Sequence, residues 1–176
     1  MLDERFERAW SRSAAASLPV AESRLKRLCG SRIAEDRLAA VLIVRRQIEQ
    51  YGIRDRYLPL ARSLVADPDS QCRWQALMVV GLFAERHASA VWPVVLELGA
   101  SEDQDMRSAV ATMVLEPILK HHYEQYFPVL QAAVEAGDAH LTDTLRRCWL
   151  FGGLKQHSRE VDRLLGSVSP AQPPSR

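Results

Sequence analysis

The chain has few of the features that mark secreted or membrane proteins. Its three cysteines, Cys29, Cys72 and Cys148, stand far apart with no CxxC pair, and their odd number does not favour a disulfide framework. The longest uninterrupted apolar run, Ala39 to Val44, is too short to span a bilayer, and the N-terminal segment is charged where a secretory signal would be apolar. We therefore expect no membrane span and a cytoplasmic location.

Motifs of catalytic chemistry are missing as well. No HExxH, GxSxG or phosphate-loop pattern occurs, and the adjacent His121 and His122 cannot both face one way on a helix. Cys72 and Cys148 fall on predicted core faces of helices, where a thiol acts as a small hydrophobe. The sequence predicts a noncatalytic chain with no cofactor and no metal.

Helical periodicity is what the sequence has in quantity. No segment alternates like a strand, and 47% apolar residues in a chain of 176 are enough for one domain with a core. Short turn signals separate the periodic segments, and the small, proline-rich segment 167–176 is predicted to be a disordered tail. The predicted helices span residues 2–16, 20–29, 33–51, 55–66, 70–86, 89–99, 104–121, 124–136, 139–156 and 159–166.

One pattern recurs along the chain at intervals of about 35 residues. Arg37, Arg73 and Arg107 are separated by 36 and 34 residues, and Thr142 follows 35 residues later. This is the period of a repeat built from two helices. A proline follows each arginine, and since proline is tolerated in the first turn of a helix, each is predicted to lie where a helix begins. These prolines are Pro59, Pro93 and Pro128.

The stretch from residue 64 to 82, with the turn Asp67-Pro68-Asp69 before Cys72-Arg73, resembles a HEAT repeat. The resemblance implies an all-α, right-handed α-solenoid of about four HEAT-like helix pairs with an N-terminal helical cap. The single repeat domain would cover residues 1–166, with a cap at 1–31 and repeats at 32–63, 64–95, 96–130 and 131–165.

In the HEAT family, a turn aspartate and a helix arginine form a ladder between neighbouring repeats, which maps here onto Asp67 and Arg73. Asp103, four residues before Arg107, is expected to supply a helical ion pair in place of the missing turn aspartate. Thr142 stands where the last arginine would be, so the last rung is in question. Trp10 is expected to contribute to the core of the cap.

The implied solenoid would bind another protein or peptide through a groove lined by the second helix of each repeat. Trp74 is the sharpest candidate because a large amphipathic ring at an exposed helical position is a typical interface anchor; a shift of one residue in helix phase would instead place it in the core. Adaptor, assembly scaffold and neutralising partner are all open as roles. The candidate partner-binding residues are Trp74, Met78, Glu85, Leu42, Arg45, Glu49, Thr112 and Arg147.

Nucleic acid is the alternative partner. Residues 1–62 carry 13 basic against 8 acidic residues, whereas 63–176 carry 10 against 14. Solenoid DNA glycosylases use a basic groove with tryptophans, which Trp74 with Arg45, Arg46 and Arg147 could mimic. Bilin lyases with HEAT-like repeats are the second enzymatic analogy, so a glycosylase-like or lyase-like activity stays open, although no feature of the sequence points to a tetrapyrrole. The net charge of +1 is small for a dedicated DNA-binding protein, so protein binding is the favoured hypothesis.

Overall fold

The computed structural model describes residues 4–150 and 152–167, and within those ranges it is helical with no β-strand. The predicted all-α class is therefore confirmed. No helix in these ranges is long and apolar enough to cross a membrane. The helices are α1 (Glu4–Ala15), α2 (Glu22–Cys29), α3 (Ala34–Tyr51), α4 (Tyr57–Arg62), α5 (Ser70–Gly81), α6 (Ala84–Leu98), α7 (Gln104–Val110), a π-helical turn (Ala111–Leu115), α8 (Glu116–Glu135), α9 (Ala139–Arg146), a 3-10 segment (Gly152–His157) and α10 (Ser158–Ser167).

The chain divides into two compact units, Met1–Phe83 and Ala84–Arg176, which are described separately here. The first unit contains α1 to α5, and the second contains α6 to α10. Of the predicted tail, Ser167 is the last residue of α10, and residues 168–176 lie outside the described part of the chain.

Two helix boundaries predicted from the sequence coincide with sharp breaks in the backbone. His87 in α6 has φ −132° and ψ 36°, and His122 in α8 has φ −139° and ψ 38°. These residues lie between the predicted helices 70–86 and 89–99 and between 104–121 and 124–136. The predicted break after Tyr51 is also confirmed, because α3 ends there and Gly52 takes a φ of 80°, which glycine adopts without the steric cost of a side chain.

The position of each repeating proline within its helix is predicted less accurately. Pro59 is the third residue of α4, in the first turn as predicted. Pro93 and Pro128 each lie six residues beyond a histidine break, in the second helical turn. The predicted helix starts near these prolines hold to within about two turns, because the sequence pattern marks the proline but not the residue at which the backbone turns.

An aspartate caps the start of three helices at regular intervals. Asp69 accepts a hydrogen bond from the Cys72 N–H at the start of α5. Asp103 and Asp138 each accept from two backbone N–H groups, at the starts of α7 and α9. Since a carboxylate at this position satisfies otherwise unpaired N–H groups, these three residues fix where each helix begins.

The recurring arginines make one contact in common. The guanidinium Nη1 of each donates to the main-chain carbonyl six residues before it. This hydrogen bond joins the loop to the helix that follows it. The pairs are Arg37 with Ser31 at 2.9 Å, Arg73 with Asp67 at 2.9 Å and Arg107 with Ser101 at 2.6 Å. In the fourth segment Thr142 is buried, and its hydroxyl donates to the Asp138 carbonyl at 2.6 Å.

The carboxylate partners of these arginines differ from the sequence prediction. The Asp67 carboxylate binds Arg37 of the preceding segment through two hydrogen bonds, of 2.5 and 2.9 Å, and Arg73 binds the Asp67 carbonyl. Arg107 Nε donates to Asp143 at 2.7 Å rather than forming the expected pair with Asp103. The expectation for Asp103 is wrong because its carboxylate faces the N–H groups of its own helix start.

The predicted helix 139–156 is also wrong in extent. It ends at Arg146, and residues 148–150 are irregular before the 3-10 segment begins at Gly152. Gly152 has a φ of 57°, which is incompatible with a continuing α-helix. The predicted helix included two adjacent glycines, which have low helix propensity, and α9 ends six residues before the first of them.

Helix α3 forms the centre of the first unit. Every residue from Leu38 to Val44 is buried, and α3 contacts α1, α2, α4 and α5. A helix that is apolar on all sides requires neighbours on all sides. In the second unit the buried residues come mainly from α6, the π-helical turn and α8, with Trp92 against Tyr126 at a ring separation of 4.7 Å.

Candidate protein-binding surfaces

The eight candidate residues fall in both units. Leu42, Arg45, Glu49, Trp74 and Met78 belong to the first unit, and the structure brings four of these together. Glu85, Thr112 and Arg147 belong to the second unit. Thr112 and Arg147 both contact Ser108, and Glu85 lies apart from them.

Leu42 is covered by α1. Its side chain is only 1% exposed and packs in a cluster with Ala9, Leu38 and Ala39, with Phe6 against it. The prediction that Leu42 faces an open groove is wrong because α1 covers this side of α3. The expected core role of Trp10 is wrong too: its side chain is 49% exposed and stacks on Phe6 at 6.2 Å.

Arg45, Glu49, Trp74 and Met78 form a partly exposed surface on α3 and α5, called here the Arg45–Met78 surface. The Arg45 guanidinium donates to the Met78 sulfur at 2.9 Å and to the Glu49 carboxylate at 2.9 Å. Trp74 lies one helical turn before Met78 on the same side of α5. Trp74 and Met78 are each partly exposed, so neither is wholly core nor wholly open.

In the second unit, Arg147 belongs to a polar network rather than standing free. Its Nε donates to Asp143 at 2.8 Å, and its Nη1 donates to the Ser108 hydroxyl at 2.8 Å. The Thr112 hydroxyl donates to the Ser108 carbonyl at 3.0 Å. Asp143 thus accepts from two arginines, Arg147 and Arg107, and joins α7 to α9.

Glu85 contributes through its main chain. Its side chain is exposed near the start of α6, and its carbonyl oxygen lies 2.9 Å from the Nε2 of His122. This contact joins the two histidine-marked breaks of the second unit. The carboxylate itself forms no ion pair among the described residues.

A small cavity beside this network was missed by sequence reasoning. It has a volume of about 230 Å³ and lies where the π-helical turn meets α8 and the segment after α9. Glu116 accepts a hydrogen bond from the Trp149 N–H, and burial raises the pKa of that carboxyl while this bond opposes the rise. The indole of Trp149 is 66% exposed. The lining residues are Thr112, Glu116, Pro117, Lys120, His121, Trp149 and Leu154.

The available sequence signal for this cavity was Pro117. Proline lacks an N–H and its ring crowds the carbonyl four residues earlier, so a helix that contains it must adjust. The π-helical turn Ala111–Leu115 ends two residues before it. Because π-helical turns inside α-helices frequently accompany functional sites, a proline in mid-helix is a sequence signal for such a site.

We predict that Asp143 makes the second unit sensitive to acid. Burial raises its pKa, but hydrogen bonds from Arg147 and Arg107 outweigh that and the net pKa is lowered. A lowered pKa in the folded state stabilises the fold above the unfolded value of about 3.9, and the stabilisation is lost as pH falls through the folded value. Asp143→Asn should therefore flatten the fall in unfolding free energy below about pH 5, measured by amide exchange in α7 and α9.

The matched control is Asp162→Asn, which removes an exposed carboxylate from α10 in the same unit. That variant should keep the acid dependence of the wild type. Equal acid dependence in Asp143→Asn and wild type would show that the Arg107 and Arg147 contacts do not hold the carboxylate ionised.

The thiols offer little nucleophilic chemistry. Cys72 and Cys148 are buried, as predicted, and burial raises the pKa of both. Burial also raises the pKa of Cys29 to about 11. Since the thiolate is the reactive form, all three are held in the unreactive state near neutral pH. No group of three potential metal-ligating side chains occurs in the described ranges.

The comparisons give no relative from which a function could be transferred. No protein-family model, curated protein or solved structure matches the chain.

Proposed function

We propose that this chain is a noncatalytic protein-binding module made of HEAT-like helix pairs arranged as a right-handed α-solenoid. The Arg45–Met78 surface carries the proposal, because it is a partly exposed Trp and Met on one helix with charged side chains beside them. Interface centres are typically of this kind, with an aromatic anchor and a polar edge.

The repeat geometry supports the solenoid half of the proposal. The arginine contact to the carbonyl six residues earlier occurs three times, and the aspartate helix caps recur at similar intervals, of 34 and 35 residues. Arg37–Asp67 and Arg107–Asp143 are carboxylate rungs between one segment and the next. Repeats of this type stack because a single helix pair cannot bury its apolar face alone.

The engagement of the basic residues supports protein over nucleic acid as the partner. Arg45 is bound to Glu49 and Met78, and Arg147 is bound to Asp143 and Ser108. Arg46 donates to the Ser13 carbonyl. These are the arginines expected to contact phosphates, and a guanidinium already paired with a carboxylate adds little to phosphate binding.

We predict that Trp74→Ala/Met78→Ala weakens partner binding by about 30-fold or more, the equivalent of an interface anchor worth about 2 kcal/mol. The test captures partners from nuclease-treated native lysate with wild-type and variant chains, then measures the affinity of the captured protein. Leu96→Ala/Val129→Ala is the matched control, because it removes two other exposed apolar side chains.

Capture that survives nuclease, fails with the Trp74/Met78 variant and persists with the control would support the proposal. Recovery of nuclease-sensitive material alone, with affinity falling steeply as salt is added, would favour nucleic acid instead. A lowered melting temperature with unchanged capture would mean that Trp74 and Met78 serve the core.

A further inference from the structure

Helix α1 occupies an apolar strip on α3, defined here by Leu38, Ala39 and Leu42. It meets this strip with Ala9 fully buried and with Phe6 partly buried. Ser13, one turn beyond Ala9, is also fully buried. Residues 6, 9 and 13 share one face of a helix, so α1 lies on α3 through a narrow stripe of mostly small side chains.

A row of ion pairs runs beside this stripe. Arg8 binds Glu35 at 2.9 Å and Arg12 binds Asp36 at 2.6 Å, both at the start of α3. Arg5 binds Asp69 at 3.2 Å, at the start of α5. Arginines at positions 5, 8 and 12 also share a helix face, and their partners form an acidic row defined here by Glu35, Asp36 and Asp69.

The ion pairs that hold α1 are open to solvent, although α1 packs on α3 more extensively than any other two described helices pack on each other. The three arginines are more than half exposed, so water and salt screen their ion pairs. The Ser13 hydroxyl of α1 is buried with no hydrogen-bond partner in the described ranges. Buried polar groups without partners destabilise the arrangement that buries them. Phe6 supplies the large apolar side chain of the stripe, and Arg46 donates to the Ser13 carbonyl beside it.

The strip under α1 borders the Arg45–Met78 surface. Leu38 and Leu42 precede Trp74 and Met78 by 36 residues each, as Arg37 precedes Arg73, so each pair holds corresponding positions on the packed helices α3 and α5. The Arg45 contact to Met78 spans the two helices at this side. Removal of α1 would therefore extend that surface along α3 with an apolar strip edged by acidic groups.

We propose that the partner presents an amphipathic helix with the pattern of α1, and that this helix displaces α1 from α3. Its contact face would carry small side chains at the spacing of residues 9 and 13 and arginines at the spacing of residues 5, 8 and 12. The acidic row selects the arginines, and the narrow strip selects the small side chains. This inference rests on the proposed protein-binding function and adds the partner's chemistry and an internal competitor to it.

The test uses the full-length chain and a fluorescein-labelled peptide of residues 4–17 as the probe, followed by fluorescence anisotropy. Arg8→Glu/Arg12→Glu should detach α1, because it places acidic groups against Glu35 and Asp36. Ala9→Glu should detach it differently, by placing a charge in the buried stripe. The matched control is Arg24→Glu/Arg27→Glu, an equal charge change on the exposed side of α2.

Both detached variants should bind the peptide about tenfold or more tightly than the wild type and the α2 control, because a site occupied by α1 is available only in the fraction of molecules that are open. A second peptide carrying Arg8→Glu and Arg12→Glu should not bind any of them. Equal binding of the first peptide to wild type and detached variants, or equal binding of both peptides, would overturn the inference. Amide exchange in α3 and α5 checks that each variant stays folded.

The two proposals fail in different ways. Partner capture that depends on Trp74 and Met78, with no peptide binding to the detached variants, would leave the protein-binding function and remove the α1-like partner. Peptide binding to the detached variants without any protein captured from lysate would instead remove the protein-binding function as the role of the Arg45–Met78 surface.

Discussion

Replacing Asp67 with alanine should lower the unfolding free energy of the first unit by about 3–5 kcal/mol, the cost of leaving one partner of a buried ion pair alone. The Asp67 side chain is 3% exposed, and that of Arg37 is 13% exposed. Two hydrogen bonds join them, and Asp67 also accepts from the Asp69 N–H in the same turn. The variant therefore leaves the Arg37 guanidinium without its carboxylate and removes the hydrogen bond to the Asp69 N–H. It also removes the link between α3 and the start of α5.

The pKa of Asp67 agrees with that role. Burial raises it, but the Arg37 guanidinium and the Asp69 N–H outweigh burial and the net pKa is lowered. The ionised form is thus favoured by folding, and the contact stabilises the fold at neutral pH and weakens as acid titrates the carboxyl.

Amide exchange of α3 and α5 measures the loss in the first unit directly. The double variant Arg37→Met/Asp67→Ala is the informative companion, because removing both charges avoids the stranded guanidinium and should recover a large part of the lost stability. A single variant no worse than the double would show that the pair is not coupled.

Gly99→Ala should destabilise the second unit by about 3 kcal/mol, from overpacking and two disturbed hydrogen bonds. A Cβ at this position would lie 2.3 Å from the Val95 carbonyl oxygen and 3.2 Å from the Leu141 side chain. The carbonyl is main chain and cannot rotate away. The Gly99 N–H donates to that same carbonyl at 2.9 Å, and its own carbonyl accepts from the Thr144 hydroxyl at 2.6 Å, so a shift of the turn disturbs both bonds.

Gly30→Ala is the matched control, because Gly30 also follows a helix but its nearest contact to an added Cβ is an ordinary 3.5 Å. Its effect should stay within about 0.5 kcal/mol. Urea unfolding of both variants, with amide exchange in α6 and α9, measures the difference. Similar values for the two would mean that the turn after α6 relaxes without loss of its contacts.

Local features of this structure, such as helix breaks and helix ends, can be predicted from the sequence. Turn residues and apolar spacing locate the breaks near His87 and His122 and the end of α3 at Tyr51, because those signals act within a few residues of the backbone they direct. The arginine period also has a real structural counterpart. What fails is the identity of the partner, because Arg107 meets Asp143, 36 residues away. Asp103 lies directly before the predicted helix 104–121, which is the position of an N-cap, and that local signal competes with its four-residue spacing to Arg107.

The surface predictions failed where tertiary contacts decide exposure. Leu42 occupies a position equivalent to Met78, and the sequence treats the two alike. Only the docking of α1 buries Leu42, and α1 comes from residues far earlier in the chain. The cavity beside Trp149 depends in the same way on a segment that the sequence assigned to a helix. Periodicity identifies the face of a helix, but not which neighbour covers it.

The contact between each arginine and the carbonyl six residues before it fixes one interval in the chain and leaves another variable. The interval between successive arginines changes from 36 to 34 residues, yet the six-residue interval is the same in all three segments. The two-residue difference between these intervals is therefore accommodated outside the loop that precedes each arginine. Each arginine holds that loop at one length, and the other residues between successive arginines can vary in number without altering how the helix that carries the arginine starts.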